Sequence, residues 1–118
     1  MTLKKVKEIL KADVITGADN LNLEVKMCCA SDLMSDVLAY AKPDALLLTG
    51  LINSQVIYTA EIVDIRAICF IRGKKPDERT IKLANDKKLV LLTTRMPMFE
   101  SCGRLYKYGL ESRLVEHK

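Results

Sequence analysis

Tryptophan is absent from this chain, and only two phenylalanines and four tyrosines occur among its 118 residues. A core with so few rings must be built from Leu, Ile, Val and Met. No aromatic residue interleaves with the basic cluster around Arg72-Gly73-Lys74-Lys75, so a single-strand nucleic-acid site of stacked bases is not indicated there. Histidine occurs once, at His117. It has no Ser or Cys partner near it in sequence, which argues against a nucleophile–base triad. No apolar run approaches the roughly 18–20 residues that cross a bilayer. The N-terminus, Met1-Thr-Leu-Lys-Lys-Val-Lys, is charged, and neither an apolar stretch nor a small-residue cleavage site follows it. A secretory leader is therefore not expected. The phosphate-loop pattern GxxxxGKS/T and the dinucleotide pattern GxGxxG are both missing. There is no low-complexity tract, linker or internal repeat.

The four cysteines, Cys28, Cys29, Cys69 and Cys102, include no CxxC spacing. Adjacent Cys28 and Cys29 face opposite sides of a strand and are poor partners for each other. Free cysteine behaves as a small buried hydrophobe. The expectation is a reduced, cytoplasmic protein without disulfide, metal or cofactor. Cys102 could serve as a nucleophile, but its spacing from Phe99 and Tyr106 reads as core.

What the chain does have is a repeating alternation. Four short apolar runs, Leu23–Ala30, Ala45–Thr49, Ala67–Ile71 and Leu89–Thr93, are each followed by a helical pattern. Strands buried on both faces read as continuous apolar runs, and their alternation with helices indicates βαβ units. The expected architecture is α/β: one sandwich over residues 1–118, with a mostly parallel sheet of four or more strands flanked by helices. A chain of this length forms one domain.

The punctuation supports this division. Leu3, Val6 and Leu10 have helical spacing, and Lys11–Asn22 reads as strand or loop. Ser31 reads as an N-cap, with Asp32 in the first turn of a helix running to about Ala41. Leu33, Val37, Leu38 and Ala41 are its inward residues, and Lys42-Pro43 stops it. Gly50 permits a tight turn, and Asn53 or Ser54 caps a helix reaching about Asp64. Pro76 suits the first position of the next helix, with Asp77 and Glu78 behind it. Pro97 opens the last helix, in which Phe99, Cys102, Tyr106 and Leu110 share a face. Gly109 is a C-terminal stop, and 111–118 reads as a frayed tail.

Charge is unevenly placed within a net of +4. Residues 1–70 carry seven Lys and Arg against nine Asp and Glu, whereas residues 71–88 carry seven against three. Arg72-Gly73-Lys74-Lys75, with Thr93-Thr94-Arg95, could form a basic rim for an acidic ligand; surface solvation is the plainer reading. In open α/β sheets, ligands bind beyond the carboxyl ends of the strands. Residues immediately after predicted strands are therefore the candidate ligand-binding set: Ser31, Asp32, Thr49, Gly50, Asn53, Ser54, Arg72 and Gly73. In this reading the Gly50–Ser54 amides and Asn53 donate to an anion, Arg72 supplies charge, and Ser31 and Asp32 accept. Asp32 and Asp36 lie one helical turn apart, which could suit a cation, but no further carboxylates complete a metal site.

Three blocks carry a family resemblance: Ser31-Asp-Leu-Met-Ser-Asp-Val-Leu-Ala, Phe70-Ile-Arg-Gly-Lys-Lys-Pro-Asp-Glu and Phe99-Glu-Ser-Cys-Gly-Arg-Leu-Tyr-Lys-Tyr-Gly-Leu. Together they resemble a stand-alone DRTGG domain, although the DRTGG string itself does not occur. The resemblance implies a small α/β domain similar to the N-terminal domain of HPr kinase/phosphorylase. Related domains accompany phosphotransacetylases and CBS-domain pyrophosphatases, in accessory, regulatory or dimer-forming roles. Stand-alone members look like companions of bacterial iron-hydrogenase and anti-sigma-factor-like proteins. The function so implied is a non-catalytic regulatory module. It would bind a small anionic or nucleotide-like ligand or a partner protein, as a homodimer, without membrane or nucleic acid. The alternative is a protein–protein adaptor with no small-molecule site. Kinase activity is not carried over, because the phosphate loop is missing.

Overall fold

The computed structural model describes residues 1–112. Five strands form one sheet: β1 (Asp13–Thr16), β2 (Met27–Ala30), β3 (Ala45–Thr49), β4 (Ala67–Phe70) and β5 (Val90–Thr93). Their order is β1-β5-β4-β3-β2, with β1 antiparallel to β5 and every other pair parallel. The helices are α1 (Leu3–Leu10), α2 (Met34–Tyr40), α3 (Ser54–Ile62), α4 (Glu78–Asp86) and α5 (Met98–Lys107). The expected α/β sandwich with a mostly parallel sheet is what forms.

The layering follows from chain direction. Strands β2 to β5 succeed one another without reversal, so right-handed crossovers put α2, α3 and α4 on the same face. Their apolar residues meet Ala45, Leu47, Ile68, Phe70 and Leu91. α1 and α5 cover the other face, against Leu46, Leu48, Ala67, Cys69, Val90 and Leu92. Alternate residues of each strand thus enter opposite cores, which is why the central strands read as unbroken apolar runs. Cys28 faces one layer and Cys29 the other. Phe70 is the one buried aromatic residue among the described residues.

Several expectations are corrected. The first strand is shorter than Leu23–Ala30, because the segment before Met27 pairs with the N-terminus: Leu3 N donates to Leu23 O and Val25 N to Met1 O. Ser31 is not a helix cap. α2 begins three residues later, and the Ser31 hydroxyl accepts from Leu33 N at 3.0 Å in a local turn. Asp32 thus lies outside the helix, so the proposed one-turn pairing with Asp36 does not form. Leu33 and Leu38 are exposed, whereas Met34 and Val37 are buried. Pro76 lies before the helix, not in its first turn. Asp77 is the N-cap of α4 and accepts from Thr80 N at 2.9 Å.

In α5 the buried positions are Ser101 and Leu105, while Phe99 and Tyr106 point outward at 90% and 72% exposure. Of the expected face, Leu110 is buried and Cys102 packs against the core, whereas Phe99 and Tyr106 do not. After Gly109, at φ +106°, Leu110 N bonds Leu105 O and Gly109 N bonds Tyr106 O, a Schellman closure. The chain then returns to the sheet edge, where Cys28 N donates to Glu111 O at 2.9 Å. Glu111 is therefore anchored, not frayed; the rest of the expected tail, 113–118 with His117, lies outside the described residues.

Candidate functional site

The carboxyl ends of the parallel strands are tied to one another, turn by turn. After β2, the Asp32 carboxylate crosses to the β3–α3 turn and accepts from Gly50 N at 2.6 Å and Thr49 Oγ1 at 3.1 Å. After β4, Lys74 Nζ reaches back to Gly50 O at 3.2 Å. The β4–α4 turn is tied forward as well: Arg72 N donates to Met96 O, Gly73 N to Thr94 O, and Thr93 Oγ1 to Lys74 O. Thr94 Oγ1 then donates to Leu10 O at the end of α1. Four turns and one helix terminus are thereby braced into a single edge.

These bonds decide where the eight expected residues stand. Asp32, Thr49 and Gly50 come together, but as partners of each other. The Gly50 amide, expected to face an anion, already donates to Asp32, and Leu51 N donates to Thr49 Oγ1. Asn53 caps α3 through Gln55 N at 3.1 Å, and Ser54 is the first helical residue. Ser31 closes its own turn. Gly50 does not adopt positive φ, and an added Cβ would meet Asp32 and Ile71 atoms at 3.5 Å, an ordinary contact. The tight-turn role read for it is not required. Arg72 and Gly73 both adopt left-handed conformations, at φ 54° and 70°. Lys11, Asp64 and Lys88 do so where helices end, which is ordinary, and Asp44 does so in the turn that enters β3; Arg72 does so at a strand-to-helix turn, where the latches to Met96 and Thr94 hold it.

The parallel strands run in unbroken order, so the reversal that opens a crevice in doubly wound sheets is missing here. The edge instead holds a small cavity of about 220 Å³ beside the β1–β5 pair, lined by Lys11, Asp13, Gly73, Lys75, Thr93, Thr94 and Arg95. Antiparallel pairing creates it, since Asp13 at the start of β1 lies opposite Thr93 at the end of β5. Three cations face one carboxylate, and among the described residues none of the three is ion-paired. Sequence reading named the stretches around Arg72 and Thr93 but missed Lys11, because nothing local says that β1 runs antiparallel beside β5.

A larger groove, about 640 Å³, lies at the opposite edge between β2, α2 and α5. It contains Ser31 of the expected set, three thiols and three exposed aromatic rings.

All four cysteines are unpaired among the described residues. Burial pushes the Cys69 thiol up to about 12. Burial first, then neighbouring thiols, raises Cys28 further, and burial first raises Cys29 and Cys102. Protonated thiols are poor nucleophiles. Among the described residues no group of three or more His, Cys, Asp or Glu could hold a metal ion, and no helix is long and apolar enough to cross a membrane.

No family model and no curated protein matches the sequence. Among solved structures, the fold is similar to the CBS and DRTGG domains of the regulatory region of Clostridium perfringens pyrophosphatase, complexed with the activator diadenosine tetraphosphate. The TM-score is 0.73 at 13% identity, over 97% of this chain and 52% of that one. The chain therefore spans about half the length of that structure, and at this identity the likeness is one of fold.

Proposed function

We propose that this chain is a non-catalytic regulatory module of the DRTGG type that binds a small anionic or nucleotide-like ligand at the carboxyl edge of its sheet. The observation that carries this reading is the cavity where Lys11, Lys75 and Arg95 surround a single carboxylate, Asp13. Unpaired cations around one concavity attract negative charge at long range. At about 220 Å³ the cavity lies below the ~300 Å³ where drug-sized sites begin. It suits a phosphate-sized head group, with the remainder of the ligand outside. The turn-to-turn bonds support the reading because they fix the cations' backbones before a ligand arrives, which lowers the cost of binding.

Arg72 and Gly73 belong to the site in this reading, Arg72 adding charge at its rim. Asp32, Thr49 and Gly50 serve it by bracing the neighbouring turns, whereas Ser31, Asn53 and Ser54 act only within their own turn and helix start. The similarity to a regulatory region complexed with a dinucleotide polyphosphate agrees with this class of ligand. The four unpaired thiols suit a reducing compartment, the cytoplasm.

A second reading, a partner or homodimer surface, is favoured by one feature. Leu33 and Leu38 on and before α2, and Tyr58 and Ile62 on the adjacent α3, are large apolar side chains left in solvent. Light scattering of the purified chain, repeated on Ile62→Glu, tests this: a dimer that the charge dissociates supports it, and a monomer in both removes it.

The ligand reading is tested by calorimetric titration with inorganic pyrophosphate and with adenosine polyphosphates. Binding that Lys75→Ala and Arg95→Ala each weaken is the expected result. Binding indifferent to both substitutions removes this site.

A further inference from the structure

We propose that the groove between β2, α2 and α5 binds a small organic cation, an amine or guanidinium carried on a flat apolar body. This stands independently of the anion site at the carboxyl edge.

Of the six aromatic residues in the chain, three line this one groove: Tyr40, Phe99 and Tyr106, at 70%, 90% and 72% exposure. Apart from Phe70, the protein fills its cores with non-aromatic side chains and leaves these rings on the rim. Ring faces attract cations through their quadrupoles. The charged groups point the same way. Among the described residues the groove is lined by two carboxylates, Asp36 and Glu111, and by no lysine or arginine. Chance would favour the opposite sign in a chain with 19 basic and 15 acidic residues. No ion pair engages either carboxylate among the described residues. Glu111 is held in place by its own backbone, whose carbonyl accepts from Cys28 N at the sheet edge.

The floor adds no charge of its own. Its thiols, Cys28, Cys29 and Cys102, are kept protonated by burial, and the Asp36 carboxylate lies near enough to Cys29 to contribute to that. An anion placed here would meet two carboxylates and, among the described residues, no counter-charge. A neutral ligand would leave both carboxylates unused. A cation with an apolar body satisfies the carboxylates, the ring faces and the thiol-lined floor together. The volume of about 640 Å³ is within the ~300–1,000 Å³ span of small-molecule sites.

The test uses three probes of nearly equal shape: tryptamine, its neutral alcohol analogue tryptophol, and the anionic indole-3-acetate. Binding is followed by calorimetry or amide chemical shifts on the full chain. Tryptamine is expected to bind, tryptophol roughly tenfold or more weakly, and indole-3-acetate not at all up to about 5 mM. Asp36→Asn is expected to weaken tryptamine roughly tenfold with only a small fall in melting temperature, since Asp36 is solvent-exposed and, among the described residues, unpaired, and loses only its charge in the first turn of α2. Equal binding of all three probes would overturn the proposal, as would no binding of tryptamine. Tryptamine binding untouched by both Asp36→Asn and Glu111→Gln would do the same. A dimer that Phe99→Asp dissociates would also overturn it, because a second copy would then occupy the groove.

Discussion

Removing the Asp32 carboxylate distinguishes a brace from a ligand contact. In Asp32→Ala the Gly50 amide loses an acceptor at 2.6 Å and the Thr49 hydroxyl one at 3.1 Å. Hydrogen bonds to a charged group contribute about 1.5–3 kcal/mol each when well buried. Asp32 is exposed, so water takes over part of both bonds. The hydroxyl can also turn to another acceptor. A net loss of about 1–2 kcal/mol remains. Unfolding entropy near 2.1 cal/mol/K per residue gives about 0.25 kcal/mol per degree for 118 residues. The expected fall in melting temperature is therefore about 4–8 °C in calorimetry without any ligand. Asp32→Asn keeps an acceptor oxygen in place, so its fall should be roughly half as large. Urea denaturation should show a lower midpoint with an unchanged slope. If Asp32→Ala melts within about 1 °C of the parent, the carboxylate is not holding the turns together, and its role as a ligand contact would return.

Gly17 sits at φ +83°, and an added Cβ would lie 2.7 Å from Val90 Cγ2 and 3.0 Å from Val90 Cα. Gly17→Ala should cost roughly 2–4 kcal/mol by urea denaturation, from left-handed strain and overpacking together; a loss below about 1 kcal/mol would contradict the packing described. Ser101 Oγ is buried without a partner among the described residues, so Ser101→Ala should raise stability by about 1 kcal/mol, and a loss of similar size would show that the hydroxyl is satisfied. The buried Cys69 thiol is raised from 9.0 to about 12 by burial. A raised value means that the folded chain holds a proton the unfolded chain releases. The resulting stability is whole below 9.0 and is lost as pH rises toward 12. The stability difference between the parent and Cys69→Ala should thus be constant near neutrality and shrink above 9.0; a constant difference up to about pH 11 would refute it.

The central strands were legible because each is buried on both faces, and an unbroken apolar run as short as Ala45–Thr49 between turn residues fits little besides a buried strand. What could not be read was decided by long-range contacts. Leu23–Lys26 alternates apolar and polar residues as a strand does, yet it pairs with Met1 and Leu3. Ser31 and Asp32 have the local chemistry of a helix start, but the bond from Asp32 to Gly50 crosses eighteen positions and wins. The α5 face was misread at Phe99 and Tyr106, though not at Cys102 and Leu110, and only the position of α1 and the sheet edge selects Leu105 over Phe99. Half of the candidate anion cavity was visible as basic stretches after β4 and β5. Lys11 joined it only through the antiparallel placement of β1, a pairing for which a single sequence carries no local signal.

If phosphate-bearing ligands are held where Lys11, Lys75 and Arg95 converge, two side chains should control their binding. The decisive experiment is a calorimetric titration of the chain and of a Lys75→Ala/Arg95→Ala double variant with an adenosine polyphosphate, at low and at high salt. Saturable binding to the parent is expected, weakening as salt screens the cations, with no detectable binding to the double variant. Equal binding by both proteins, or none by the parent at low salt, would contradict it.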